Sequence, residues 1–139
     1  MSYSSAMFQA LSILLYIHFK TEDECYEYLS ARSISEMLKI PAPTVAKILS
    51  KLNAASLIFT KEGAGGGNML ARPVGRISLL DVFLAIEQSK PLFKIQYDFS
   101  NLEFDQLESI KEKGINSLKE AEAALKRTLE GRTLADLIQ

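Results

Sequence analysis

The sequence predicts a mainly α fold: a winged helix-turn-helix domain with a small two-stranded β wing, followed by a long C-terminal dimerisation helix. Three observations predict it. Two short segments with helical apolar spacing, 33–38 and 43–52, lie four residues apart across Pro41. A β-rich stretch, a glycine-rich turn and a second short apolar stretch follow at 57–71. A third segment, 101–130, keeps its apolar residues at three-four spacing throughout.

Each element has its own signal. A first helix is expected from Ser5 to about Phe19, with Met7, Leu11, Leu14, Leu15 and His18 on one face, and the polar, acidic residues 20–27 read as a loop. Ser33 with Glu36 three residues on forms a capping box for the next helix, whose apolar face is Ile34, Met37 and Leu38. That helix must stop before Pro41, because the residue preceding a proline avoids the α region. Pro43 fits the first turn of the following helix, with Val45, Ile48, Leu49 and Leu52 turned inward. Residues 57–60 are β-formers, 63–68 a flexible turn, and Met69, Leu70 and Ala71 a return strand: a wing. Ser78 caps a fourth helix that carries Leu79, Val82, Phe83 and Ile86 on its face.

Residues 88–100 read as a linker with alternating Phe93, Ile95, Tyr97 and Phe99. Ser100 with Glu103 is a second capping box, opening a helix that runs to about Glu130 before Gly131 stops it. Thirty residues of helix span about 45 Å, more than so small a domain can cover. The stripe Leu107, Ile110, Ile115, Leu118, Ala121, Leu125 and Leu129 therefore calls for a two-fold partner, with Gly114 as a weak point or bend. Thr133 caps a final short helix over 134–138. The chain thus divides into a winged helix-turn-helix domain (1–87), a linker (88–100) and a dimerisation segment (101–139).

Composition narrows the function. With 47% hydrophobic and 24% charged residues in 139, the chain can bury a core and is not disordered as a whole. Its longest apolar run, 13–17, is far below the roughly 20 residues that span a bilayer, and the N-terminus lacks a signal-peptide pattern. A cytoplasmic protein without membrane contact is expected. One cysteine and one histidine exclude an internal disulfide and give no metal set, no cofactor site and no nucleophile-base pair, so no enzyme is expected.

Charge is unevenly placed. Residues 30–76 carry seven basic and two acidic groups, +5, between flanks that are each −3. Clustered cations are what a phosphate backbone binds, through counterion release. The sequence puts Thr44 and Lys47 on the outward face of the second short helix toward base edges, and Lys51, Lys61 and Arg72 toward phosphates. The wing turn Gly65, Gly66 and Gly67 lies beside them. The expected partners are double-stranded DNA, a second copy of the chain and an effector of unknown kind.

The order of these elements, with Lys51-Leu52-Asn53-Ala54-Ala55-Ser56-Leu57-Ile58, then Gly63 and Gly65-Gly66-Gly67, Leu70-Ala71-Arg72-Pro73 and Ile77-Ser78-Leu79-Leu80-Asp81-Val82, resembles the bacterial Rrf-two family of transcription regulators. Thr133-Leu134-Ala135-Asp136-Leu137 is similar to that family's usual ending. The resemblance implies a homodimeric, sequence-specific DNA-binding regulator, a repressor, paired through its long helix. Many members hold an iron–sulfur cluster on three cysteines ahead of that helix; residues 87–101 here have none, so a cluster-free type is implied. The family often has a serine where Pro41 stands and an arginine where Glu62 stands, next to Lys61.

Rival readings are weaker. The glycine turn lacks the third glycine of a dinucleotide fingerprint, where Asn68 sits, and the Gly-Lys-Ser/Thr of a phosphate loop. Cys25 is a candidate redox thiol, but Asp23, Glu24 and Glu27 surround it with charge that disfavours the thiolate. The aromatic linker reads as core packing before effector pocket. The main alternative function is a winged-helix protein-interaction adaptor that does not bind DNA specifically, a reading that Glu62 would suit.

Overall fold

Residues 5–23, 27–87, 91–94, 101 and 106–139 are described by the structure, a computed structural model of the chain. In chain order they form α1 (Ala6–Asp23), α2 (Ala31–Leu38), α3 (Ala42–Ala54), β1 (Ile58–Lys61), β2 (Gly67–Leu70), α4 (Leu79–Glu87) and α5 (Leu107–Glu130). Single 3-10 turns follow β2 (Val74–Arg76) and α5 (Ala135–Leu137). The expected mainly α, winged helix-turn-helix architecture is what the chain adopts. Cys25, the linker residues Ile95, Tyr97 and Phe99, and the Ser100–Glu103 capping box lie outside the described residues.

α1 is longer than its periodicity suggests and is turned about its axis. Its buried face is Ala10, Ile13, Leu14 and Ile17, each with no exposed surface. Of the five residues expected to face inward only Leu14 is fully buried; Met7, Leu11 and Leu15 pack half-buried at the margin, and His18 is likewise intermediate. The apolar residues of this helix surround most of its circumference, so spacing alone does not fix which arc turns inward. The helix also continues through the supposed loop to Asp23. Thr21 accommodates this by donating its hydroxyl to the Ile17 and His18 carbonyls at 2.9 and 3.1 Å.

α2 opens on Ser30, whose hydroxyl accepts from the Ser33 amide at 3.1 Å. The expected Ser33–Glu36 box is not made. Ser33 is already inside the helix, and Glu36 pairs with Arg32 one turn back at 3.0 Å. Lys39 closes α2 in the left-handed region (φ 55°), returning its amide to the Ser35 carbonyl. Pro41 then occupies the N-cap of α3, where a proline costs no helical hydrogen bond. Val45, Ile48, Leu49 and Leu52 are buried as the spacing requires.

β1 and β2 pair antiparallel, with Ile58 opposite Leu70 and Lys61 opposite Gly67. The return strand begins at Gly67 rather than Met69, so Asn68, expected in the turn, is strand and only 4% exposed. α4 is capped reciprocally: Asp81 N–H donates to Ser78 Oγ at 3.0 Å and Ser78 N–H to Asp81 Oδ2 at 2.9 Å. Its inward residues are Leu79, Val82, Ala85 and Ile86, and Phe83 is half-buried instead of facing the core.

The chain's last residues return to this domain. Leu79 N–H donates to the Arg132 carbonyl at 2.8 Å and Leu134 N–H to the Ile77 carbonyl at 3.0 Å. Leu134 itself is fully buried in the shared core. The expected final helix is instead the 3-10 turn, held by Thr133 and Asp136 bonding to each other's amides. α5 has 24 residues, about 36 Å at the helical rise. It runs unbroken through Gly114, and none of its residues is buried.

Leu134→Ala is expected to cost about 2–5 kcal/mol by leaving a core cavity. Ile138→Ala, at an exposed site four residues on, should change stability by under about 0.5 kcal/mol. Urea unfolding followed by circular dichroism measures both. Equal values for the two variants would show that the tail is not part of the core.

Candidate nucleic-acid interface

α3 buries one face and leaves Pro43, Ala46, Lys47, Ser50, Asn53 and Ala54 exposed on the other. These are mostly small side chains around one cation, a profile low enough for a helix to settle into a major groove. Thr44 and Lys51 lie on the flank, half-buried along a groove of about 460 Å³ shared with Ser5, with Gln9 of α1 and with Ile86. Lys47 borders the same groove but keeps an exposed side chain. Lys51 donates from Nζ to the Ile86 carbonyl at 3.1 Å. A cation on the last turn of α4 satisfies an orphan carbonyl and suits the helix dipole.

The wing places Lys61 at the end of β1 and Glu62 beside it, both exposed. Lys61 Nζ stands 5.4 Å from the centre of the Tyr28 ring, within cation–π range. The glycines are dictated by backbone packing. A Cβ on Gly66 would come within 2.2 Å of the Lys61 carbonyl oxygen; one on Gly67, whose φ is +147°, within 2.5 Å of the Leu29 carbonyl oxygen. Gly65, with φ +74°, completes the turn.

Arg72 is placed differently from expectation. Its Nη1 pairs with Asp81 Oδ2 at 3.3 Å and donates to the Arg76 carbonyl at 3.3 Å, which ties the segment after β2 to the cap of α4. The structure therefore brings Thr44 and Lys47 together on α3 and Lys61 with Gly65–Gly67 on the wing, and commits Lys51 and Arg72 to bonds within the protein. Sequence reasoning missed Pro43, Ala46, Ser50 and Asn53. Their signal was present: they recur three or four residues apart, opposite the Val45–Leu52 face. It also missed Asn68, which bonds to Thr60 and Leu29.

The α5 stripe is uneven. Ile110 and Leu118 are 54% and 40% exposed, Leu107, Ile115 and Leu125 are half-buried, and Leu129 packs against the protein's own core. No helix among the described residues is long and apolar enough to cross a membrane.

A helix-turn-helix with a small-residue outward face, beside a β ribbon carrying a lysine, defines a winged-helix regulator of the DNA-binding class. The family model described as "Iron-dependent Transcriptional regulator", Rrf2, matches residues 3–139, and the chain belongs to this Rrf2 family of transcriptional regulators, not to an enzyme family. It is 30% identical over 99% of its length to YffB of Lactococcus lactis subsp. lactis (strain IL1403), a protein named as an HTH-type transcriptional regulator, and covers 86% of that protein. Among solved structures it is similar to CymR (YrzC), the global cysteine regulator of B. subtilis, with a TM-score of 0.67 and 22% identity over 99% of this chain and 95% of that one. It is also similar to T. potens IscR, with a TM-score of 0.59 and 20% identity over 99% of this chain and 86% of that one. At these identities the two structures speak for the fold.

The iron in the family's description does not fit the residues present. The chain has one cysteine and one histidine. Among the described residues no three His, Cys, Asp or Glu side chains are grouped to hold a metal. Protein purified anaerobically is expected to carry no iron–sulfur chromophore. Stoichiometric iron and acid-labile sulfide would contradict that.

Proposed function

We propose that the protein is a sequence-specific DNA-binding transcription regulator that acts as a homodimer, without an iron–sulfur cluster, and represses by occupying its operator in the cytoplasm. The observation that carries this reading is the pairing of an exposed, small-residue α3 face around Lys47 with an exposed wing lysine, Lys61, inside the most basic part of the chain. Thr44 and Lys47 contact base edges from α3, with Ser50 within reach of the same groove. Lys61 and the Gly65–Gly67 turn meet the phosphate backbone. Lys51 and Arg72 support this surface from within. The unit that binds is residues 1–87, completed by the buried Leu134.

The dimer is supported by α5. Ile110 and Leu118 leave large apolar side chains in solvent on a helix with no buried residue, and Leu107, Ile115 and Leu125 continue the stripe. A two-fold partner covers both copies of such a stripe at once. Leu129 anchors the helix to its own domain.

Two experiments test the proposal. In a gel-shift titration, Lys47→Ala should cost about 1–3 kcal/mol on the preferred site and little on random DNA. Lys61→Ala should weaken both and lower the salt slope by about 1. Glu62→Arg should tighten both. If all three variants bind like wild type, DNA is held by another surface; if the wild type shows no preference for any DNA sequence, the adaptor reading replaces this one. For the dimer, Ile110→Glu with Leu118→Glu is expected to give a folded monomer by sedimentation. A wild type that is itself monomeric at micromolar concentration would overturn the pairing.

A further inference from the structure

Among the described residues Asn68 is the one buried polar side chain, and every polar atom it has is used. Its Oδ1 accepts from the Thr60 hydroxyl across the ribbon at 2.9 Å. Its Nδ2 donates to the Leu29 carbonyl at 3.1 Å. Its main chain exchanges two more bonds with Leu29, at 2.7 and 2.9 Å, making Leu29 a one-residue third strand beside β2. Gly67 lets this approach happen, since its missing Cβ is the space taken by the Leu29 carbonyl. The next residue on that side, Ser30, is the N-cap of α2. The residue before Leu29, Tyr28, carries the ring under Lys61. Three contacts therefore join the wing to residues 28–30: Lys61 on Tyr28, Asn68 on Leu29, and Gly67 against the Leu29–Ser30 peptide.

We propose that Asn68 is a positioning residue that fixes where the wing, and with it Lys61, stands relative to the helix-turn-helix. A two-stranded ribbon is marginal by itself and would swing about its base. The Asn68 bonds attach it to the segment that starts α2, so the wing and the reading helix move as one body. An apolar residue here would leave the Leu29 carbonyl and Thr60 hydroxyl each one partner short; an aspartate would set a carboxylate against a carbonyl. Asparagine supplies one donor and one acceptor in the arrangement needed. The part concerning Lys61 and DNA rests on the DNA-binding reading above; the mechanical part does not.

The test uses the full chain and two variants, Asn68→Ala and Thr60→Val. Without DNA, amide hydrogen exchange of residues 61–68 is expected to be faster by about tenfold or more in Asn68→Ala. Thr60→Val should accelerate them by about threefold, with amides of α3 and α4 unchanged in both. Acceleration spread evenly over the chain, or none at residues 61–68, overturns the proposal. Should Asn68→Ala fail to fold, the Thr60→Val pattern decides by the same criterion. With DNA, Asn68→Ala is expected to lower the salt slope by about 1 while keeping the preference for operator over random sequence. Lys61→Ala added to Asn68→Ala should then have little further effect. A Lys61→Ala loss as large in the Asn68→Ala background as in wild type refutes positioning of Lys61. If the wild type binds no DNA, the functional reading fails, and the exchange experiment still determines whether Asn68 holds the wing.

Discussion

α1 presents Ala10, Ile13, Leu14 and Ile17 at full burial, and no single neighbour is wide enough to cover them. α2, α3, α4 and β2 each lie against part of this helix. Ile34, Val45, Leu52, Leu57 and Val82 close the space from different sides. Each of these elements is too short to be stable in isolation. α2 has 8 residues and each strand 4. Their helix and strand propensities therefore matter less than the shared apolar volume around α1, and the angles between them follow from how that volume is filled.

Polar groups then fix what burial leaves loose. Ser30 sets the start of α2, the Ser78–Asp81 pair the start of α4, and Lys51 holds the end of α4 against α3. Arg72 reaches from the segment after β2 to the α4 cap. These assignments change the meaning of the positive middle of the chain. Arg32 is paired with Glu36, Arg72 with Asp81, and Lys51 is bonded to a carbonyl. The exposed cations of this segment outside those bonds are Lys39, Lys47, Lys61 and Arg76, of which Lys47 lies on the outward face of α3 and Lys61 on the wing.

The parts legible in the sequence are those with one-sided patterns. α3 alternates buried and exposed residues cleanly, the ribbon is marked by glycines between β-formers, and Ser78 precedes an apolar run; these elements form where the pattern predicts, although β2 starts two residues early, at Gly67, and Phe83 is only half-buried. In α1 apolar residues occupy much of the circumference, so the period is clear and the phase is not. The α2 cap was displaced by one turn because Ser30, Ser33 and Glu36 recur at intervals of three, and either serine satisfies the same local rule. Asn68, Lys51 and Arg72 were assigned to turn or ligand because their partners lie 39, 35 and 9 residues away in the chain. Local spacing carries no record of such pairs. Of the candidate site, the reading helix and wing were legible and the division of labour among the cations was not.

The same bonds bear on how the proposed dimer would read an operator. A two-fold regulator recognises two half-sites only if the distance between its reading helices is held near one turn of DNA, about 34 Å. A loose joint between dimerisation helix and reading head would blur that distance. Here the joint at the end of α5 is not loose. Leu129 packs on the core, Arg132 accepts from Leu79 at the start of α4, and the buried Leu134 bonds to Ile77. α4 is in turn bound to α3 through Lys51. A continuous set of short contacts thus runs from α5 to α3, and the Asn68 bonds extend it to the wing. With every joint on that path held, the packing of one α5 stripe on another in the proposed dimer would set the spacing and angle of both reading heads. In the proposed dimer, specificity for half-site spacing would rest with Ile110 and Leu118 as much as specificity for bases would rest with Lys47.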